Sequence, residues 1–138
     1  LGTRIAFLPP VEEDAKASLL DGADIFILPS LAPGGNNHME GLGLGLLEAQ
    51  SRGVPVLAAR TGGIPEAMEE GTTGLLFEPG NAADLGAKLS VLLSNPAHRA
   101  RLGAAGPAWV ERHFDWSKTL ESLAEVLESL GRPGRFGR

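Results

Sequence analysis

Short, uninterrupted apolar runs alternate along this chain with longer segments whose apolar positions recur every three or four residues. Arg4-Ile5-Ala6-Phe7-Leu8 is the first run, and Pro9-Pro10 stops it, as expected of a buried strand entering a loop. A helix follows from Glu12 to Asp21, with acids in its first turn, Ala15, Leu19 and Leu20 at helical spacing, and Gly22 as its stop. Ile25-Phe26-Ile27-Leu28 is the next run, apolar throughout like a strand covered on both faces of a parallel sheet, and Pro29-Ser30 closes it. The stretch from Leu31 to Met39 is a loop by composition. Beyond it the pattern predicts a helix from about Leu44 to Arg52 ending at Gly53, then a strand over Val54–Ala58 with Pro55 at its entrance.

The alternation continues to the end of the chain. Thr61-Gly62-Gly63-Ile64-Pro65-Glu66 opens a short helix, Gly74–Phe77 forms a strand, and Asn81 caps a helix with Leu85, Leu89, Leu92 and Leu93 on one face. Asn95-Pro96 and Gly106-Pro107 read as two further helix starts. Asp115 caps a last helix with Leu120, Leu123, Val126, Leu127 and Leu130 on its buried side. Residues 132–138 have no periodicity and read as a disordered tail, leaving one domain over residues 1–131. Strands alternating with helices at this spacing give an α/β fold with a Rossmann-like, doubly wound parallel sheet. Ligands of such sheets bind beyond the carboxyl ends of the strands. The loops Leu8–Val11, Pro29–Gly43 and Arg60–Glu66 all fall at that edge.

Composition narrows the partners. A net charge of −5 over 138 residues excludes nucleic acid or an anionic membrane as the main partner, so any anion site is local. The absence of cysteine rules out disulfides and thiolate metal sites and fits a cytoplasmic location. No apolar run reaches the length of a membrane span. The chain begins at Leu1 rather than Met, as expected of the inside of a longer protein.

The candidate chemistry lies in Glu40-Gly41-Leu42-Gly43-Leu44-Gly45-Leu46-Leu47-Glu48, where two carboxylates eight residues apart bracket three glycines and the start of a helix. Glycines at a loop-to-helix junction let a ligand approach the backbone, and free N–H groups at the positive end of the helix dipole favour a phosphate. Carboxylates on either side accept hydrogen bonds from hydroxyls. A ligand both phosphorylated and rich in hydroxyls suits that pairing, and a nucleotide sugar is the commonest such molecule.

Five blocks, in order, resemble a known family. Pro29-Ser30, Glu40-Gly41-Leu42-Gly43-Leu44 running to Glu48-Ala49, Gly53-Val54-Pro55-Val56, Gly62-Gly63-Ile64-Pro65-Glu66 and Gly71-Thr72-Thr73-Gly74-Leu75-Leu76 look like the donor-binding, C-terminal half of retaining glycosyltransferases with the GT-B fold, in particular glycosyltransferase family 4. The resemblance runs down to Phe114-Asp115-Trp116. It implies that Glu40, first acid of the family's Glu-x7-Glu motif, lies by the transferred sugar as the catalytic residue. It implies that the backbone of Gly41, Leu42, Gly43 and Leu44 holds sugar hydroxyls and diphosphate, and that Glu48 accepts from the ribose. Pro9 and Pro10 would meet the nucleotide base, with Ser30 in the same donor-binding set. Leu42 stands where Phe is commoner, and Gly45 replaces a larger residue at a cost of roughly 1 kcal/mol in helix propensity.

The reaction implied is transfer of a hexosyl group from a nucleoside-diphosphate sugar to an acceptor hydroxyl with retention of configuration, as in polysaccharide biosynthesis. No Asp-x-Asp pair or ligand-spaced His cluster occurs, so neither metal nor cofactor is expected. The resemblance places a diphosphate-clamping basic pair and a His near the sugar upstream of Leu1, in part on a missing N-terminal acceptor domain. Any peripheral membrane contact would run through that domain. The resemblance implies that the strands seen here are the third through sixth of a 3-2-1-4-5-6 sheet, so the first two are expected to lie outside this sequence and the fragment alone is expected to be inactive.

Two other classes compete: a nucleotide-sugar epimerase of the same fold, and a non-catalytic nucleotide-binding module. The Glu-x7-Glu pattern with Gly62-Gly63-Ile64-Pro65-Glu66 points away from the epimerase. A dinucleotide-dependent dehydrogenase fits poorly, because the glycine run follows a long loop rather than a tight turn after a strand. His38 reads as an exposed loop residue, His98 and His113 as structural. Trp109, Phe114 and Trp116 read as packing between the last helices.

Overall fold

The computed structural model describes residues 5–31 and 40–131. The expected tail at 132–138 and His38 lie outside the described residues. Three short parallel strands, β1 (Phe26–Leu28), β2 (Val56–Ala59) and β3 (Gly74–Phe77), form a sheet in that spatial order. Phe26 pairs with Val56 and Val56 with Gly74, so β2 is central and all four of its residues are buried. The helices are α1 (Glu13–Asp21), α2 (Leu44–Ser51), α3 (Ala82–Ser94), α4 (Pro96–Phe114) and α5 (Trp116–Gly131), with a 3-10 turn at Ile64–Glu66. Among the described residues no helix is long and apolar enough to cross a membrane.

The period-two geometry of the strands divides the core into two layers. Val56 and Ala58 pack with Leu46, Ala49, Ile64, Ala67, Met68 and Leu20 on one face. Leu57 and Ala59 pack with Phe77, Leu92 and Leu102 on the other. Helices cover both faces, so the doubly wound α/β fold expected from the sequence is the one found.

Helix α2 is held tightly from outside the sheet. It stops where Gly53 takes φ 76°, with the Gly53 N–H donating to the Gln50 carbonyl at 3.0 Å. Gly103 and Gly106 of α4 then lie directly against this end. A Cβ at Gly106 would sit 2.5 Å from the Gln50 carbonyl oxygen, and one at Gly103 would collide with the Gly53 carbonyl oxygen. This contact explains why Gly106-Pro107, expected to start a helix, lies inside α4 instead. Pro107 removes one helical hydrogen bond on the exposed side of the helix, at a cost of about 3 kcal/mol. The glycine face packed on α2 keeps the helix continuous through it.

Several faces expected to be buried are open. The run expected as a first strand is irregular over residues 5–8, and Phe7 is 94% exposed. No strand among the described residues lies beside it, and an extended segment without a ladder partner leaves its amides and carbonyls to solvent. In α1 only Leu20 is buried, while Ala15 and Leu19 face out. Leu92 anchors α3, with Leu85 and Leu89 packed beside it and Leu93 exposed. Leu120, Leu123, Val126, Leu127 and Leu130 of α5 are all more than half exposed, and so is Trp116. Helix α5 follows α4 across Asp115 and leaves the core. Asp115 does cap it, accepting from the Ser117 N–H at 2.7 Å.

Two predictions follow the packing. Gly106→Ala should lower unfolding stability by about 1–3 kcal/mol, because the new methyl meets backbone. Gly86→Ala, inside α3 with open space around it, should raise stability by up to about 1 kcal/mol. Urea melts of both variants check the opposite signs. Asp84 accepts from the Glu78 N–H at 2.8 Å and pairs with Lys88 at 3.1 Å, and these contacts hold its carboxyl below the ordinary value of 3.8. A depressed folded pKa stabilises above the unfolded value and is lost as pH falls through the folded one. Asp84→Asn should therefore melt earlier than the wild type at pH 7, with the gap closing below about pH 3.8 in a thermal-melt series.

Candidate active site

The loop entering α2 is built on its own carboxylate. Glu40 turns back so that its Oε1 accepts from the Gly43 N–H at 3.0 Å, and Gly43, at φ 76°, bends the chain into the helix. A side chain there would be strained and would press on Leu28 and Leu46 at 3.1 Å. The Leu46 N–H closes the first turn on the Gly43 carbonyl at 2.8 Å. Gly41 and Leu44 remain exposed, Glu40 and Leu42 are half-buried, and Leu42 packs on the core beneath. Gly45 has a reason beyond its neighbours: the Phe26 ring of β1 lies 3.0 Å from where its Cβ would be.

A second loop braces the first. The Gly63 N–H donates to the Glu40 carbonyl at 3.1 Å, and a Cβ at Gly63 would collide with the Gly41 carbonyl oxygen. Its φ of −84° is ordinary, so the glycine serves close approach and not an unusual backbone angle. Below, the fully buried Gln50 donates from Nε2 to the Leu46 carbonyl at 3.2 Å and the Ala67 carbonyl at 2.8 Å. Gln50 thus ties α2 to the residue that ends the 3-10 turn. The two loops and the start of α2 form one framework.

Glu48 lies one helical turn further along α2 and faces α1. Its Oε1 accepts from Lys16 Nζ at 3.0 Å, and Lys16 also pairs with Glu13 at 2.8 Å. The hydrogen bond to Glu13 first, then that to Glu48, raises the Lys16 ammonium above its ordinary value of 10.5. A cleft of about 240 Å³ opens beside them between α1 and α2. One turn on, Arg52 joins Asp21 at 2.6 Å.

Of the residues expected at the site, the structure brings together Glu40, Gly41, Leu42, Gly43 and Leu44 at the start of α2, with Glu48 a turn below. Ser30 is half-buried two residues beyond β1, and Pro9 and Pro10 are exposed in the segment before α1. No hydrogen bond among the described residues joins these three to the framework. Three residues were missed by reading the sequence: Gln50, Lys16 and Gly63 in its bracing role. A lone amide side chain among Leu46, Leu47 and Ala49 was the signal for Gln50. Nothing local signals that Lys16 meets Glu48, 32 residues away.

Comparison with known proteins bears on this geometry. Residues 1–109 match the model of the family described as glycosyl transferases group 1. The chain belongs to the group 1 glycosyl transferases. This transferase chain is 41% identical over 125 residues to a GDP-mannose-dependent monoacylated alpha-(1-6)-phosphatidylinositol monomannoside mannosyltransferase of Corynebacterium glutamicum. That alignment covers 91% of the chain and 32% of the relative, so the chain spans about a third of the relative's length. Among solved structures it resembles sucrose-phosphate synthase of Thermosynechococcus elongatus with a TM-score of 0.80 at 27% identity, covering 94% of this chain and 31% of that one. It also resembles Anabaena HepE in complex with UDP-glucose, with a TM-score of 0.70 at 29% identity over 80% of this chain and 29% of that one. The fold is that of the C-terminal half of GT-B glycosyltransferases.

Because the bracing contact is backbone to backbone, Gly63→Ala should push the two loops apart. We expect a stability loss of about 1–3 kcal/mol by urea melt. Faster amide hydrogen exchange at Gly43 than in wild type would locate the damage at the loop.

Proposed function

We propose that this group 1 glycosyltransferase chain is the donor-binding half of a retaining, family 4 enzyme that moves a hexosyl group from a nucleoside-diphosphate sugar to an acceptor hydroxyl. The carrying observation is the α2 start: a helix N-terminus opened by left-handed Gly43, with the Glu40 carboxylate fixed on it and Glu48 one turn below. In this reading Glu40 holds the Gly43 N–H and is thereby set beside the transferred sugar. The backbone of Gly41, Leu42, Gly43 and Leu44 frames the sugar hydroxyls and diphosphate, Glu48 accepts from the ribose, and Pro9, Pro10 and Ser30 complete the donor set.

The chemistry asks the protein chiefly to stabilise charge on the departing diphosphate. In the first turn of α2 the Leu44 and Gly45 amides have no hydrogen-bond partner among the described residues, and they carry the positive end of the helix dipole. Preorganised donors of this kind favour the transition state, because no reorientation is needed as charge develops. The acceptor hydroxyl attacks from the face the diphosphate leaves, which retains configuration. The remaining groups, including a basic clamp on the diphosphate and the acceptor site, come from the rest of the protein. Nucleotide sugars named for the relatives, GDP-mannose for the mannosyltransferase and UDP-glucose for HepE, support the substrate class. We assign the cytoplasm and polysaccharide assembly as its setting, with the sugar nucleotide as substrate and no added cofactor.

Calorimetry of UDP, GDP and ADP on the full-length protein tests the reading. One nucleoside diphosphate should bind, and Glu48→Ala should weaken it by about 1–3 kcal/mol, the loss of a charged acceptor. Glu40→Gln should leave that binding within about threefold and lower sugar transfer on the order of 10²-fold, because its role lies at the reacting sugar. Absence of binding by all three, or a silent Glu48→Ala, would remove the donor-site assignment.

A further inference from the structure

The ion pair between α1 and α2 has little to do for the fold. Lys16 and Glu48 are 36% and 39% exposed, and pairs of that kind add little stability. Leu20 already seats α1 on the core, and Arg52 with Asp21 supplies a second bridge between the same helices one turn on. Yet Lys16 fastens to the very carboxylate that the donor site assigns to the ribose. It takes Oε1 alone, at 3.0 Å. A carboxylate has two acceptor oxygens, so Oε2 stays available for a hydroxyl. The ammonium holds both acids at once beside the adjoining cleft, with Glu13 at 2.8 Å and Glu48 at 3.0 Å.

We propose that Lys16 is a positioning residue of the donor site: from α1 it holds the Glu48 side chain in the orientation that receives the ribose hydroxyls. This rests on the reading of Glu48 given above. A flexible glutamate on an exposed helix face loses side-chain entropy when it binds a hydroxyl, and a partner that fixes it beforehand removes part of that cost.

The test compares the nucleoside diphosphate that binds best with its 2′,3′-dideoxy counterpart, on the full-length protein. The ratio of their affinities reads the ribose contact, whereas a general loss of folding or of charge would move both ligands alike. We expect wild type to prefer the ribose form about tenfold or more, as one charged hydrogen bond would give. Lys16→Met should reduce the ratio below about threefold, Lys16→Arg should keep most of it, and Arg52→Met, which breaks the neighbouring bridge, should leave it unchanged. If Glu48→Ala abolishes the preference while Lys16→Met retains it, the positioning role is overturned and the Glu48 assignment stands. If Arg52→Met reduces it as far as Lys16→Met does, the effect belongs to the seating of α1, and the role is again overturned. A wild type without preference, or one untouched by Glu48→Ala, overturns the ribose reading and the inference with it.

Discussion

Backbone meets backbone where Gly63 passes over Gly41, and the start of α2 depends on that contact. A parallel sheet sends the chain out of every strand at the same edge. The segments following β1 and β2 therefore emerge as neighbours and must share space. Here they share it without side chains between them: the Gly63 N–H reaches the Glu40 carbonyl at 3.1 Å, and no Cβ fits at Gly63. The Glu40 carboxylate can then reach back to Gly43 because its own carbonyl is already anchored. A half-buried loop carboxylate becomes a fixed one.

The underside of α2 is treated the same way. Its helix-forming tendency is modest, with Gly45 in its first turn, and it is only eight residues long. Tertiary contacts hold it. Phe26 fills the space left by Gly45, Gln50 bonds across to Ala67, and Gly103 and Gly106 bring α4 against its last turn. Glycine thus weakens the helix in isolation and strengthens it in context, because each missing Cβ lets another element come close. A short helix pinned on three sides presents its first-turn amides with little freedom to reorient, which is the property electrostatic stabilisation of a leaving group requires.

Charge is distributed for local use. The chain is acidic overall, so an anionic ligand gains nothing from the net field at −5 and must be drawn by what lies close to it. Helix α2 supplies amides at one end and a carboxylate at Glu48, and α1 supplies Lys16 beside it. The faces left open are apolar: the segment around Phe7 before α1, and the leucine row of α5.

Local pattern was enough for the three strands, the sheet's parallel nature, the caps at Asn81, Asn95 and Asp115, and the joining of the glycine run to a helix. Each of these is decided by residues within a few positions of one another: an apolar run, an Asn side chain accepting an N–H three residues on, a glycine with positive φ. Local pattern failed where the deciding partner was remote or missing. Arg4–Leu8 reads as a strand, but a strand is made by its neighbour, and residues 5–8 have none among those described. Pro107 reads as a start, but the glycines before it are committed to Gln50 and Gly53. The α5 leucines are spaced for burial, while the helix carrying them points off the core. The sequence by itself determined that the glycine run after Glu40 leads into a helix at Leu44. Only tertiary structure decided that Gly63 braces that start and that Lys16 grips Glu48, because both contacts join segments that nothing in local spacing connects.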